Sequence, residues 1–278
     1  ALHGGGILGI ERAALLVYHN AVIAQGVIAV AVKFAGEQPL RRAERVGGIH
    51  DNQVVLVLAL ADEFQIPRIE SAELYDVFFR LRLDHPEIFW MTGYKYKYYQ
   101  DSPNLIFVPE YLFDKNKIRE HQRAMSSRVE KLARAAKDLS EWEKEKYIHD
   151  FICDNVTYDK LKKAYSHEII GPLGHGVGVC EGIAKSVKVL CDALGIWCMI
   201  AVCGNNPEKG IKYRHTWNIV KIDNSWVHID LTFDATISQS PVLRHDYFGL
   251  NTPTIARDHQ FDLAHYPVSS TISLEYHH

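Results

Sequence analysis

From Gly178 to Gly195 the chain carries a pattern of helical period that opens on a cysteine. Ile183, Ala184, Val187, Leu190, Cys191 and Leu194 recur every three or four residues, Gly195 supplies a stop, and Cys180 falls in the first turn. Backbone N–H groups of a first helical turn lack intrahelical partners, and the macrodipole places roughly half a positive charge beside them. A thiolate is favoured there over a thiol, and the thiolate is the nucleophilic form. Gly171, Gly174, Gly176 and Gly178 precede the helix in a loop where glycine allows close approach. Neither GxxxxGK[ST] nor GxGxxG is present, which makes a phosphate-cradling loop the weaker reading.

The segment after the helix reads as β structure. Residues 196–204 predict a strand, 205–210 a loop, and 215–222 and 226–234 two strands around Asp223-Asn224-Ser225. A hairpin in which Ile222 opposes Ser225 pairs His215 with Thr232. It also sets Asp230 diagonally opposite His215 on one face. A carboxylate on one imidazole nitrogen fixes the tautomer and supports the imidazolium, leaving the other nitrogen for the Cys180 sulfur. Any one of the 15 histidines would be weak evidence alone. The order Cys180, His215, Asp230 on a helix start and two successive strands is a specific combination, and its chemistry is acyl transfer.

Composition narrows the alternatives. With 47% hydrophobic and 23% charged residues and a net charge of -3, the chain is of ordinary globular make-up. Its basic residues are dispersed, so no nucleic-acid surface is expected. The five cysteines form an odd set without a CxxC pair, which argues against a disulfide framework, a structural zinc site and a zinc-dependent amidase. Cys153, Cys191, Cys198 and Cys203 read as small buried hydrophobes. No EF-hand spacing suggests calcium, and no cofactor or metal is expected. The apolar run 13–32 is interrupted by His19, Asn20 and Gln25, so no stable membrane span is expected there. The cytoplasm is the expected compartment, with export and membrane association left open.

Upstream, Leu74, Val77, Phe78 and Leu81 predict a helix ended by Asp84-His85-Pro86. The alternation of Tyr94, Tyr96 and Tyr98 with Lys95 and Lys97 predicts a half-exposed strand rather than a stacking platform. A further strand, 105–108, closes at Pro109, and the charged stretch 120–146 predicts one or two long helices. Residues 1–62 form an apolar, Gly-rich segment of unassigned fold.

Several motifs together resemble bacterial members of the transglutaminase-like superfamily. They are Gly178-Val179-Cys180-Glu181-Gly182-Ile183-Ala184, Arg214-His215-Thr216-Trp217-Asn218-Ile219-Val220 and Trp226-Val227-His228-Ile229-Asp230-Leu231-Thr232-Phe233-Asp234. Supporting pieces are Asp84–Trp90, Ile148-His149-Asp150, Val156-Thr157-Tyr158-Asp159 and Asp246-Tyr247-Phe248. The resemblance covers about residues 70 to 260. It implies an α+β, papain-like fold with helices packed on an antiparallel sheet, in a domain 63–278 whose Cys-His-Asp core spans about 147–260. It implies Cys180 as nucleophile, His215 as base and acid, and Asp230 as orienting carboxylate. Phe233 stands where the superfamily commonly has Trp. The Cys180 backbone N–H is the first candidate oxyanion donor, with Tyr158 and Trp217 as further candidates for oxyanion or support roles.

The expected partner is a protein or peptide with a reactive amide. The acyl-enzyme could be resolved by water, in a cysteine peptidase or deamidase, or by a lysine amine, in a transglutaminase. The alternative is a catalytically silent domain of the same fold used for protein or cell-wall binding, although retention of all three triad residues argues against it.

Overall fold

A computed structural model describes residues 60–203, 214–237, 243–261 and 266. The chain divides by contact into residues 1–120 and 121–278. The segment 1–59 and the expected loop 205–210 lie outside the described residues.

In the first unit, β1 (Phe64–Pro67), helix α1 (Ser71–Asp84), β2 (Met91–Tyr98) and β3 (Asn104–Tyr111) follow in order, and the strands form an antiparallel sheet ordered β1-β3-β2. The apolar stripe of α1 buries Leu74, Phe78 and Leu81. Phe78 meets the edge of Tyr94 at 4.8 Å between ring centroids, and Tyr94 stacks on Phe107 at 5.1 Å. The Tyr/Lys alternation is thus a strand, as expected. Pro109, expected to close β3, instead lies within it. Pairing with β1 runs only from Asn104 to Phe107, so at Pro109 the strand has β2 on one side and loses no ladder donor on the other.

Helix α2 (Lys115–Ala136) crosses the division between the units, and α3 (Glu141–Asn155) follows it. The charged stretch is therefore two helices, separated at Ser140 by a capping box. The Glu143 N–H donates to Ser140 Oγ at 3.3 Å, and the Ser140 N–H donates to Glu143 Oε2 at 3.0 Å. After α3, the short strand β4 (Thr157–Tyr158) pairs in parallel with β5 (Val177–Gly178). The glycine-containing segment between them forms a 3-10 turn over Ala164–His167 and a π-helical turn over Ile170–His175.

Helix α4 (Cys180–Leu194) is the helix anticipated from periodicity, and Gly195 ends it at a positive φ of 75°. Its inner face, Ile183, Val187 and Leu190, is almost fully buried, each side chain contributing about 1.5–3 kcal/mol. It packs against the antiparallel sheet β6-β7-β8, formed by Trp197–Cys203, His215–Ile222 and Ser225–Ile229. Asn218 on β7 donates from Nδ2 to the Ala184 carbonyl at 3.0 Å, tying the sheet to the second turn of the helix.

The β7–β8 hairpin has the expected register, with Ile222 opposite Ser225. Asp223 and Asn224 both take positive φ, 49° and 65°, as a two-residue turn matched to strand twist requires. The expected strand 226–234, however, stops at Ile229, and Leu231–Ile237 is helix α5. The cause is Asp230, whose Oδ1 accepts the N–H groups of Thr232 at 2.9 Å and Phe233 at 3.1 Å and so caps the helix. A last short helix, α6 (Thr252–Ile255), is capped by Asn251. The architecture is α+β, with helices on antiparallel sheets. Among the described residues, no helix is long and apolar enough to cross a membrane.

Gly182 is required where α4 meets the turn before it. A Cβ at this position would lie 2.2 Å from the Ser166 carbonyl oxygen, a backbone atom that cannot move aside alone. Gly182→Ala should therefore destabilise the fold by about 2–3 kcal/mol in urea unfolding. A loss below about 0.5 kcal/mol would contradict this packing.

Candidate active site

Cys180 is the first residue of α4. Its N-cap, Val179, offers no side-chain acceptor, so the first-turn N–H groups are left without a capping side chain. Position is set from behind: the Val179 N–H donates to the Ser166 carbonyl at 3.0 Å, and the Ser166 hydroxyl donates to Asp159 Oδ2 at 2.5 Å. Asp159 also accepts the N–H groups of Leu161 and Lys163, which closes the loop. The thiol is partly exposed. Burial pushes its pKa up, but hydrogen bonds and charge from His215, with hydrogen bonds from Thr216, outweigh this and leave it below the ordinary thiol value. The buried Thr216 hydroxyl has no other partner among the described residues.

His215 begins β7 and is buried. Its Nε2 lies 2.5 Å from Asp230 Oδ2, which leaves the other ring nitrogen for Cys180. Burial disfavours the imidazolium, yet Asp230 and Cys180 together raise the His215 pKa to about 10. The opposite shifts on sulfur and imidazole are those of a thiolate–imidazolium pair. Asp230 is almost completely buried, and burial opposes its charge. Hydrogen bonds and charge from His215 and His259 nevertheless hold it below the usual carboxylate range. The structure thus brings Cys180, His215 and Asp230 together, with Asp230 just past the end of β8 rather than within a strand.

The two support candidates differ. Tyr158 on β4 pairs with Gly178, two residues before Cys180. Burial first, and then the charges of Cys180 and Asp159, raise its pKa, so it lies within electrostatic reach of the sulfur. Trp217 is fully buried and its indole N–H donates to His228 Nδ1 at 3.1 Å. Its donor is spent, and its role is packing, with the indole ring stacked 6.0 Å from His215. Phe233 lies parallel to the imidazole at 4.9 Å on the same residue, so the aromatic at this position clamps the ring.

Sequence reasoning passed over His259. This buried residue contacts Asp230 Oδ2 through Nε2 at 2.8 Å and Asp258 Oδ1 through Nδ1 at 2.6 Å. It follows a four-residue helix in an irregular segment, where no periodicity points to it. Also unforeseen was a buried lysine in the second turn of α4: Lys185 pairs with Glu168 at 2.9 Å and Glu181 at 2.8 Å.

A second cluster joins α3 to α5. His149 Nε2 meets Asp234 Oδ2 at 3.0 Å and its Nδ1 meets Asp150 Oδ1 at 3.1 Å, while His245 Nε2 meets the same Asp150 oxygen at 2.8 Å. Burial opposes the charge on His149, but Asp150 and Asp234 raise its pKa to about 11. Cys153 sits beside it at 3.8 Å, and burial keeps that thiol above its ordinary pKa. The ligand atoms of His149, Asp150 and His245 lie close enough to hold a metal ion, as do those of His215, Asp230 and His259. In the first set the Lys146 ammonium already pairs with Asp150, and in the second the three groups satisfy one another.

Residues 126–231 match the pattern of the Transglutaminase-like superfamily. That segment holds Cys180, His215 and Asp230 on the elements described above, and it is the transglutaminase-like part of this chain. No curated protein matches it. Similar solved structures include a TGase, at 14% identity and a TM-score of 0.34, covering 67% of this chain and 54% of that one. A proposed cysteine protease from Cytophaga hutchinsonii is similar at 17% identity and 0.33, covering 62% and 65%. A proposed protease from Parabacteroides distasonis is similar at 18% and 0.31, covering 47% and 29%. The chain thus spans about half the length of the TGase.

The raised His149 sets a pH dependence. It has a folded pKa of about 11 against an unfolded value of about 6.5, whereas the proton gained by His215 is the one given up by Cys180 and largely cancels near neutrality. The stability His149 contributes is fully present below about 6.5 and is lost as pH climbs through the folded value. Urea midpoints should fall between pH 7 and pH 10, and His149→Gln should flatten that fall. A level midpoint over this range would count against a cationic His149.

Proposed function

We propose that the protein is a thiol-dependent acyl-transfer enzyme acting on peptide or glutamine amides through an acyl-enzyme on Cys180. The observation that supports this reading is the series of buried Asp230, buried His215 and partly exposed Cys180, ending at a helix N-terminus whose N-cap residue offers no side-chain acceptor. It lies within the stretch that is transglutaminase-like.

In this mechanism the Cys180 thiolate attacks the amide carbonyl carbon, and the π electron pair moves onto oxygen. The backbone N–H groups at the start of α4, with Cys180 first, stabilise the developing oxyanion, and the Tyr158 hydroxyl is the second donor. As the tetrahedral adduct collapses, the C–N bond breaks and the His215 imidazolium gives its proton to the departing nitrogen. The resulting thioester is attacked by water or an amine, which passes a proton to His215. Collapse then expels the thiolate and restores the ion pair. Asp230 stays ionised throughout and holds the imidazole. Water reaches any open thioester, whereas an amine acceptor needs walls that exclude it, so hydrolysis is the favoured resolution.

Limiting iodoacetamide across pH, followed by mapping of the labelled cysteine, tests the nucleophile. Cys180 should label first and faster than a free thiol at pH 6. Priority of another cysteine would sink the assignment. Cys180→Ala should abolish acyl transfer with the fold intact, and Asp230→Asn should lower kcat by roughly three to four orders of magnitude, as in other triads. Glutamine peptides assayed for amine incorporation, ammonia release and chain cleavage would identify the acceptor.

A further inference from the structure

We propose that His259 is a positioning residue of the Cys180 site, an imidazolium bridging Asp258 and Asp230 that holds Asp230 in place while drawing part of its charge away from His215. The inference rests on the proposed function and adds to it a group that sequence reasoning did not single out. It also lies outside the transglutaminase-like stretch 126–231.

The hydrogen bonds of Asp230 carry the argument. Oδ1 is taken up by the N–H groups of Thr232 and Phe233, and Oδ2 is shared by His215 at 2.5 Å and His259 at 2.8 Å. With four donors aimed at it, this carboxylate functions as an acceptor only. The far side of His259 is equally committed, with Nδ1 2.6 Å from Asp258 Oδ1. The other Asp258 oxygen accepts the Tyr247 hydroxyl at 2.5 Å. A ring held between two carboxylates has an acceptor facing each nitrogen, the arrangement that an imidazolium, with two donors, satisfies in full.

The remaining groups facing His259 fit this charge. His228 accepts the Trp217 indole N–H on Nδ1 and so is neutral there. Burial, followed by the charge of His259, lowers its pKa to about 4. Tyr247 is kept protonated, its pKa raised by burial and then by Asp258. The His215 ring lies 5.4 Å from the His259 ring. With His259 as the proposed imidazolium, acidic and basic groups alternate from half-exposed Asp258 inwards through His259, Asp230 and His215 to Cys180.

Two consequences follow for acyl transfer. Asp230, held by His259 as well as by the α5 backbone, cannot swing with His215 when the imidazole moves between sulfur and leaving nitrogen. A second cation near the pair also favours the thiolate and loosens the His215 proton, which must leave during each turnover.

The test is the pH profile of Cys180 alkylation by iodoacetamide, in wild type and in His259→Gln, at low ionic strength. Glutamine can still donate to Asp230 but carries no charge. The acid limb of thiolate formation should move to higher pH by about 0.5–1 unit in the variant. A variant whose limb coincides with that of wild type, with or without a uniform loss of rate, overturns the inference alone. A wild-type Cys180 that labels as an ordinary thiol overturns the proposed function and this inference with it. Should His259→Gln not fold, imidazole 15N shifts of the wild-type protein decide. Both His259 nitrogens protonated at pH 7 is the expected result, and one unprotonated nitrogen overturns the inference.

Discussion

Asp230 stands where β8 stops and α5 begins, and its side chain performs both tasks that this position demands. One oxygen caps the helix, and the other receives two imidazoles. A helix cap of this kind is worth about 1 kcal/mol in general, a modest amount for stability. Its larger effect here is geometric, because the backbone donors fix the carboxylate plane and with it the direction from which His215 is held. The same N–H donors help keep a buried carboxylate ionised against the cost of desolvation.

Charge buried on the other side of α4 follows a similar logic. Lys185 is fully covered and pairs with Glu168 and Glu181, which joins α4 to the turn before it. Pairs of this type add little net stability, but losing one partner leaves an uncompensated charge, a cost of about 3–5 kcal/mol. Glu145 of α3 meets the Cys191 thiol of α4 at 3.1 Å, and burial raises its pKa to about 7. With His149 on Asp234, these contacts connect α3, α4 and α5 at defined points rather than through apolar packing alone.

Much of this arrangement was legible in the sequence because it depends on short-range periodicity. The 3.6-residue pattern from Ile183 to Leu194 located α4, and the turn residues Asp223-Asn224 set the hairpin register. The end of β8 was misread because Leu231, Thr232 and Phe233 suit a strand as well as a helix. Only the capping geometry of Asp230 decides between them. Pro109 resembled a strand end because sequence does not reveal which side of β3 lacks a neighbour at that point. The pairing of His259 with Asp230 spans 29 residues, and that of His149 with Asp234 spans 85. Neither leaves a local pattern, since each is created only by tertiary packing.

The two-residue turn at Asp223-Asn224 makes the meeting of His215 and Asp230 a matter of counting. His215 and Asp230 are each reached from this turn along a strand whose side chains alternate faces, so one residue gained or lost on either strand moves a member of the pair to the wrong side. Length variation tolerated by related chains should therefore collect beyond the ends of this hairpin. The spacing between the histidine and the aspartate then serves as a ruler for recognising relatives that retain the reactive arrangement.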